Sequence, residues 1–257
     1  MRSRSCDDIL RTVTSREDWQ RRLGPLYGGA VALVRSTPWR WPTEVGRDDA
    51  RSSGWVIAIG LPIGFAAWLV AVIISAIGIS QSIAALFGLA VLTIASAAIV
   101  ERGVAERIDD WQGQLRSPGV ASVLALVFVT LVRAAAILAV PRSQWLWVFL
   151  AVAVIGRWAG VFLQALGDPI SDDGSRRSLV ATPTPAWLTA AITLVIAIFA
   201  ILAIGKLGVV VIAITAAAAF GLGLEAQKRD AGLSPSVVAM AAAIGELAAL
   251  LFATVGH

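Results

Sequence analysis

The sequence predicts an all-α fold, a polytopic membrane helix bundle of about seven transmembrane helices, and three observations predict it. The first is a series of apolar stretches, 55–77, 82–100, 119–140, 145–166, 186–204, 207–224 and 235–255. Each is about twenty residues long, enough for a helix to cross roughly 30 Å of hydrocarbon. The second is charge: of 21 Lys and Arg residues, seventeen precede the first stretch or fill every second gap after it, and only Arg142 and Lys206 lie in the alternate gaps. Such a bias predicts a cytoplasmic N-terminus in the cell inner (cytoplasmic) membrane and, with an odd number of spans, His257 on the far side. The third is composition, with 58% hydrophobic residues against about 45–50% in ordinary soluble domains even when Gly is included.

The elements follow in order. Residues 1–54 read as a cytoplasmic and interfacial N-terminal segment, and 55–257 as the transmembrane helical domain. Within the first segment, Ser15 and Asp18 resemble a capping box, and Glu17, Arg21 and Arg22 suit a short surface helix ending at Gly24-Pro25. The stretch 26–34 is apolar but too short to span, which predicts an interfacial position. Trp39, Trp41 and Trp55 bracket the first span, and Trp145, Trp147 and Trp187 flank later ones, as amphipathic rings of an aromatic belt do. Pro62, with Gly60 and Gly64 beside it, predicts a kink or a break in span 1. Spans 5 to 7 are rich in Ala and Gly, which lets helices approach closely.

Several function classes are excluded at this level. The single cysteine, Cys6, allows neither an internal disulfide nor a cysteine metal site, and the sole histidine is the C-terminal His257. The first 28 residues are charged and lack a continuous apolar core, so no cleavable signal peptide is expected. The net charge of +4 comes from basic residues interleaved with acidic ones in the loops, which suits topology and anionic headgroups and predicts membrane lipid, and no nucleic acid, as a partner.

Charges inside spans carry more information than charges outside them. Arg133, Arg157 and Glu246 lie within spans, where an ionised side chain costs about 2.5–3.5 kcal/mol on insertion scales. Arg157 and Glu246 are candidates to pair with each other. The alternatives are snorkelling for Arg157 and for Arg133, and an interhelical hydrogen bond for Glu246.

The chain leaving span 2 reads Val100-Glu101-Arg102-Gly103-Val104-Ala105-Glu106-Arg107-Ile108-Asp109-Asp110. If the helix continues, Glu106, Asp109 and Asp110 share one face by three- and four-residue spacing. Clustered carboxylates at a membrane surface suit Mg²⁺, which keeps waters and bridges one or two carboxylates to substrate phosphates. The alternative is ion pairing on a solvated helix end, such as Arg102 with Glu106.

This segment resembles the HEDGLAD-x-x-DG motif of the cobalamin synthase (adenosylcobinamide-GDP ribazoletransferase) family. Glu101, Gly103, Ala105 and Asp109 are identical to it, and Val104 and Glu106 are conservative. Other pieces follow in family order: Arg35 with Pro38, the AIGLPIGF of 58–65, the stretch from Gly119, Gly156-Arg157-Trp158-Ala159, and the run from Arg229 to Leu233 with Gly245-Glu246-Leu247-Ala248. The resemblance covers roughly 30–257. It departs from the family at Val100, where the family has His, and at Arg102, where it has an acid. Leu115-Arg116-Ser117-Pro118-Gly119 lacks the Asp of the family's DSRIG, and Ser234-Pro235-Ser236 lacks that of its Thr-Gly-Asp.

The resemblance implies a Mg²⁺-dependent transferase that joins α-ribazole or its 5′-phosphate to adenosylcobinamide-GDP with release of GMP, so that the corrinoid nucleotide and α-ribazole would be its substrates. Glu101, Glu106 and Asp109 would be its catalytic and metal-binding carboxylates, with Asp110 assisting. Arg102, Arg107, Arg116 or Arg157 would meet phosphate oxygens, and Asp168, Asp172 and Asp173 are candidates to replace the missing acids. A second reading, favoured by the lost His and Asp positions, is a catalytically degenerate membrane protein on the same scaffold, acting as a partner or binding module. Self-association into a homo-oligomer is left open by the sequence.

Overall fold

A computed structural model describes residues 21–39, 52–113, 119–167, 179–180, 184–230 and 232–255. The elements among them are helical: α1 (Tyr27–Ser36), α2 (Ser53–Ala58), α3 (Gly60–Ala76), α4 (Gln81–Ala95), α5 (Ile99–Trp111), α6 (Val120–Ala139), α7 (Trp145–Leu166), α8 (Ala186–Ile204), α9 (Leu207–Asp230) and α10 (Pro235–Ala253). Six helices are long and apolar enough to cross a membrane, and α4 with α5 forms a further, bent unit. The chain is therefore a multi-pass membrane protein. The expected spans agree with α3 and α6 to α10 to within a few residues, α9 running on as far as Asp230.

The bundle is organised around α7 and α10, which bury most of their surface while the other long helices keep a broad lipid-facing side. Small residues make that centre possible. A Cβ on Gly156 would strike Glu246, one on Gly245 would approach Ala159 Cβ at 3.1 Å, and one on Gly160 would approach Val238 at 3.1 Å. Without a solvent-driven hydrophobic effect between helices in lipid, such close approach supplies the dispersion contacts that hold them together. On the other side of α7, Gly60 and Gly64 of α3 sit against the backbone of Ala153 and Phe149, where a Cβ would come to 2.8 and 2.7 Å of the carbonyl oxygens.

The expected irregularity of span 1 takes the form of a single-residue turn at Ile59 between α2 and α3. Pro62 then falls in the first turn of α3, where its missing N–H is one that has no helical acceptor anyway. The interfacial stretch becomes α1, which docks on protein: Tyr27, Val31 and Ala32 are buried, and a Cβ on Gly29 would come to 3.0 Å of the Trp55 ring. Trp39, Trp147 and Trp187 are exposed, as belt residues should be. Trp145 is a correction. It is 2% exposed, with its indole N–H donating to Val140 O at 3.2 Å, so it packs inside the bundle. The Ser15–Asp18 cap, Trp41 and the acids Asp168, Asp172 and Asp173 lie outside the described residues.

Span 2 departs most from expectation. The sequence predicts one helix from 82 through 100 and on through the acidic motif; instead α4 stops at Ala95 and α5 restarts at Ile99 at an angle of 72°. Ala98 N–H donates to Thr93 O at 3.0 Å and Ala97 N–H to Ile94 O at 2.9 Å, the bond pair of a helix-ending Schellman turn. That turn needs a left-handed residue, normally Gly, and here Ala97 (φ 54°) and Ala98 (φ 50°) occupy the left-handed region. Each costs about 1–2 kcal/mol, so something in the packed bundle must hold the break open.

Candidate functional site

A buried charge cluster meets the break. Glu101, two residues into α5, is drawn inward: its Oε1 accepts from Arg133 Nη1 at 2.6 Å and from Thr93 Oγ1 at 2.9 Å. The other arm of Arg133 donates to Glu246 Oε2 at 2.6 Å, joining α5, α6 and α10 through one guanidinium. Arg133 is 5% exposed and Glu246 2%. Arg133 lies thirteen residues into α6 and Glu246 eleven into α10, roughly 20 and 16 Å along helices rising about 1.5 Å per residue, well inside the apolar slab.

Two sequence expectations change here. Arg133 does not snorkel, and it, rather than Arg157, is the ion-pair partner of Glu246. Arg157 is nevertheless fully buried beside them, donating to Ser96 Oγ in the break at 3.0 Å and to Ala153 O at 3.2 Å. Two carboxylates and two guanidiniums thus balance in one interior cluster. An unpaired ion there would cost several kcal/mol, whereas a closely bonded set recovers most of that in low dielectric.

The outer half of α5 builds a second region, at the end of the bundle where α5 and α9 finish and α6 and α10 begin. Gly103 lies against Ala239 with no room for a Cβ, so α5 packs directly on α10. Arg107, 1% exposed, bonds Glu225 at 2.6 Å and Asp230 at 2.7 Å and stacks 5.6 Å from the Trp111 ring, tying α5 to the end of α9. Trp111 adds a bond from its indole N–H to Glu225 Oε1 at 2.9 Å. Asp109 Oδ1 accepts from Gly119 N–H at 3.0 Å at the start of α6. Asp110 lies near Ser236 at the start of α10, and Ser236 contacts Ser234 at 2.9 Å.

The acidic motif on α5, Gly119 at the start of α6, the end of α9 and the start of α10 therefore meet on this end. Of the residues expected to act, Glu106, Asp109 and Asp110 share this region, while Glu101 points into the bundle toward Arg133. Arg102 is half exposed and stands 3.9 Å from Glu106, an ion pair expected from the spacing. Arg107 is already occupied by two carboxylates, Arg157 is buried away from this end, and Arg116 lies outside the described residues. Sequence reasoning missed Glu225, Asp230 and Ser236. The signal was the unusual placement of Glu225 within the last turns of a long apolar helix.

Among the described residues no three His, Cys, Asp or Glu side chains are arranged to hold a metal ion by themselves. For Mg²⁺ this decides which donors fit, because that ion takes one or two carboxylates and completes its octahedron with water and substrate phosphate. One or two of Glu106, Asp109 and Asp110, completed by water and phosphate, would suit that mode. Glu101, whose Oε1 is held by Arg133 and Thr93, would not.

No curated protein and no solved structure matches the chain at a significant level. A family model described as cobalamin-5-phosphate synthase matches residues 30–254, a range that contains the break, the buried charge cluster and the whole carboxylate end. The chain belongs to the cobalamin-5-phosphate synthase family, whose members are membrane transferases of cobalamin biosynthesis.

Proposed function

We propose that the protein joins α-ribazole or its 5′-phosphate to adenosylcobinamide-GDP. The ribose 3′-hydroxyl attacks the cobinamide-proximal phosphorus, the bond from that phosphorus to the GMP oxygen breaks, and GMP leaves with the electron pair. The observation that carries this reading is the convergence of the acidic motif with Gly119, the end of α9 and the start of α10 at one end of the bundle. Those are the stretches in which the sequence resembles the family's motifs.

Transfer of this kind depends on positioning and on neutralising phosphate charge more than on covalent catalysis. Asp109, fixed by Gly119 N–H, and Asp110 present carboxylates from a helix end anchored by Arg107. One or two of Glu106, Asp109 and Asp110 would hold Mg²⁺, which when bound supplies positive charge to the diphosphate. Arg102 and Arg229, both exposed, stand on the same end and would meet phosphate oxygens. On this reading the carboxylate end faces the cytoplasm, as the distribution of Lys and Arg predicts.

The test is GMP release by the purified protein from adenosylcobinamide-GDP with α-ribazole and Mg²⁺. Turnover that stops on chelation and returns with Mg²⁺ supports the proposal. One observation favours the second reading, a diverged binding module: Arg102 stands where the family has an acid and partly neutralises Glu106. Ligand binding without turnover would select it.

A further inference from the structure

A cavity of about 320 Å³ opens between α4 and α6, lined by Leu86, Leu89, Ile94, Thr130, Arg133 and Glu101 among others. Its mouth is on the side that these helices turn to lipid, where Leu86, Ile94 and Thr130 are exposed. Its walls are apolar, but its floor is the buried charge cluster. Two polar atoms of that floor have no partner: Glu101 Oε2, an acceptor, and Arg133 Nε, a donor. Arg133 is more than nine-tenths buried, and Glu101 is 18% exposed. Buried polar atoms are nearly always bonded, and an orphan in hydrocarbon is costly. The floor therefore calls for a group that both donates and accepts.

The charge balance says what kind of group. Glu101, Glu246, Arg133 and Arg157 already sum to zero, so a phosphate, carboxylate or ammonium would leave a net charge buried in the slab. A neutral hydroxyl adds none. The two orphaned atoms are covered as they stand; once a small turn of either side chain uncovers them, the ligand's O–H donates to the Glu101 carboxylate while its oxygen accepts from Arg133, and the Thr93 and Thr130 hydroxyls line the same cavity. The volume is at the lower end of small-molecule sites, about 300–1,000 Å³, and holds the head and upper chain of one lipid-like molecule. We propose that this cavity binds an uncharged, hydroxyl-bearing amphiphile that enters sideways from the bilayer. This site is independent of the transfer reaction and of the carboxylate end.

The experiment uses the full chain in phosphatidylcholine nanodiscs with a diazirine-bearing 1-decanol as probe. Photolabelling should concentrate on residues 86–94 and 130–134. Unlabelled 1-decanol should reduce it at least five-fold, while decane or decanoate at equal membrane concentration should reduce it less than two-fold. Ala90→Phe and Ala134→Phe, which fill the cavity with apolar rings, should each lower labelling at least five-fold. Labelling spread evenly over other lipid-facing helices, competition by decane or decanoate equal to that by decanol, or wild-type labelling in both filled variants would overturn the site. Should either filled variant fail to fold, the competition series on the unmodified protein decides the matter alone.

Discussion

Ala97 and Ala98 are the residues at which local preference and the final structure conflict most openly. Both are good helix formers in a run that reads as continuous helix, yet both adopt left-handed backbone. Since Gly takes that conformation without steric cost, Ala97→Gly should stabilise the protein by up to about 1 kcal/mol, and Ala97→Val should destabilise it by more than that. Thermal unfolding in detergent measures both, and a Gly variant less stable than the parent would show that the turn is not strained. Glu246 poses the opposite case, a residue whose loss exposes its partners. Glu246→Leu removes a costly buried charge but leaves Arg133 and Arg157 with only Glu101, and should therefore cost about 3–5 kcal/mol. Combining it with Arg133→Met should recover part of that loss. Greater stability in the single Leu variant would mean that the cluster contributes nothing to the fold.

At the scale of the element, α5 joins two environments, with its first turn at the buried cluster and its last turn at the carboxylate end. On the proposed reading, charge on its outer face matters for function; for folding it matters little, because an exposed ion pair such as Arg102–Glu106 is worth about 0–1 kcal/mol. Glu106→Gln and Asp109→Asn should each lower GMP release at least tenfold, about 1.4 kcal/mol of barrier, with melting temperatures near that of the parent. Asp48→Asn in the N-terminal segment should change neither. Wild-type turnover in both α5 variants would dismiss their role. The packing of α5 is tested separately by Gly103→Leu: its side chain has no space beside Ala239, so the helix must lift from α10 and both stability and turnover should fall.

For the molecule as a whole, the open question is which way it sits in the bilayer. Seventeen of 21 Lys and Arg residues on alternate segments predict that a reporter fused after His257 lies outside the cytoplasm and one fused after Asp173 lies inside. Both reporters on one side would contradict the seven-span orientation. The bent α4–α5 unit gives this test its value, because a re-entrant pair in place of a crossing would reverse every later segment.

The sequence by itself determined the helical membrane fold, most span boundaries and the family, because length, hydropathy and charge asymmetry act on each segment independently of its neighbours. It also placed Glu106, Asp109 and Asp110 on one face, since helical spacing is local. Only the tertiary structure decided that Arg133 serves Glu101 and Glu246, that Arg107 is held by Glu225 and Asp230, and that span 2 breaks at residues of high helix propensity. Those outcomes depend on charges brought together from helices 32 to 123 residues apart. In a low-dielectric interior the energy of pairing them exceeds the few kcal/mol of backbone preference that a local reading can weigh.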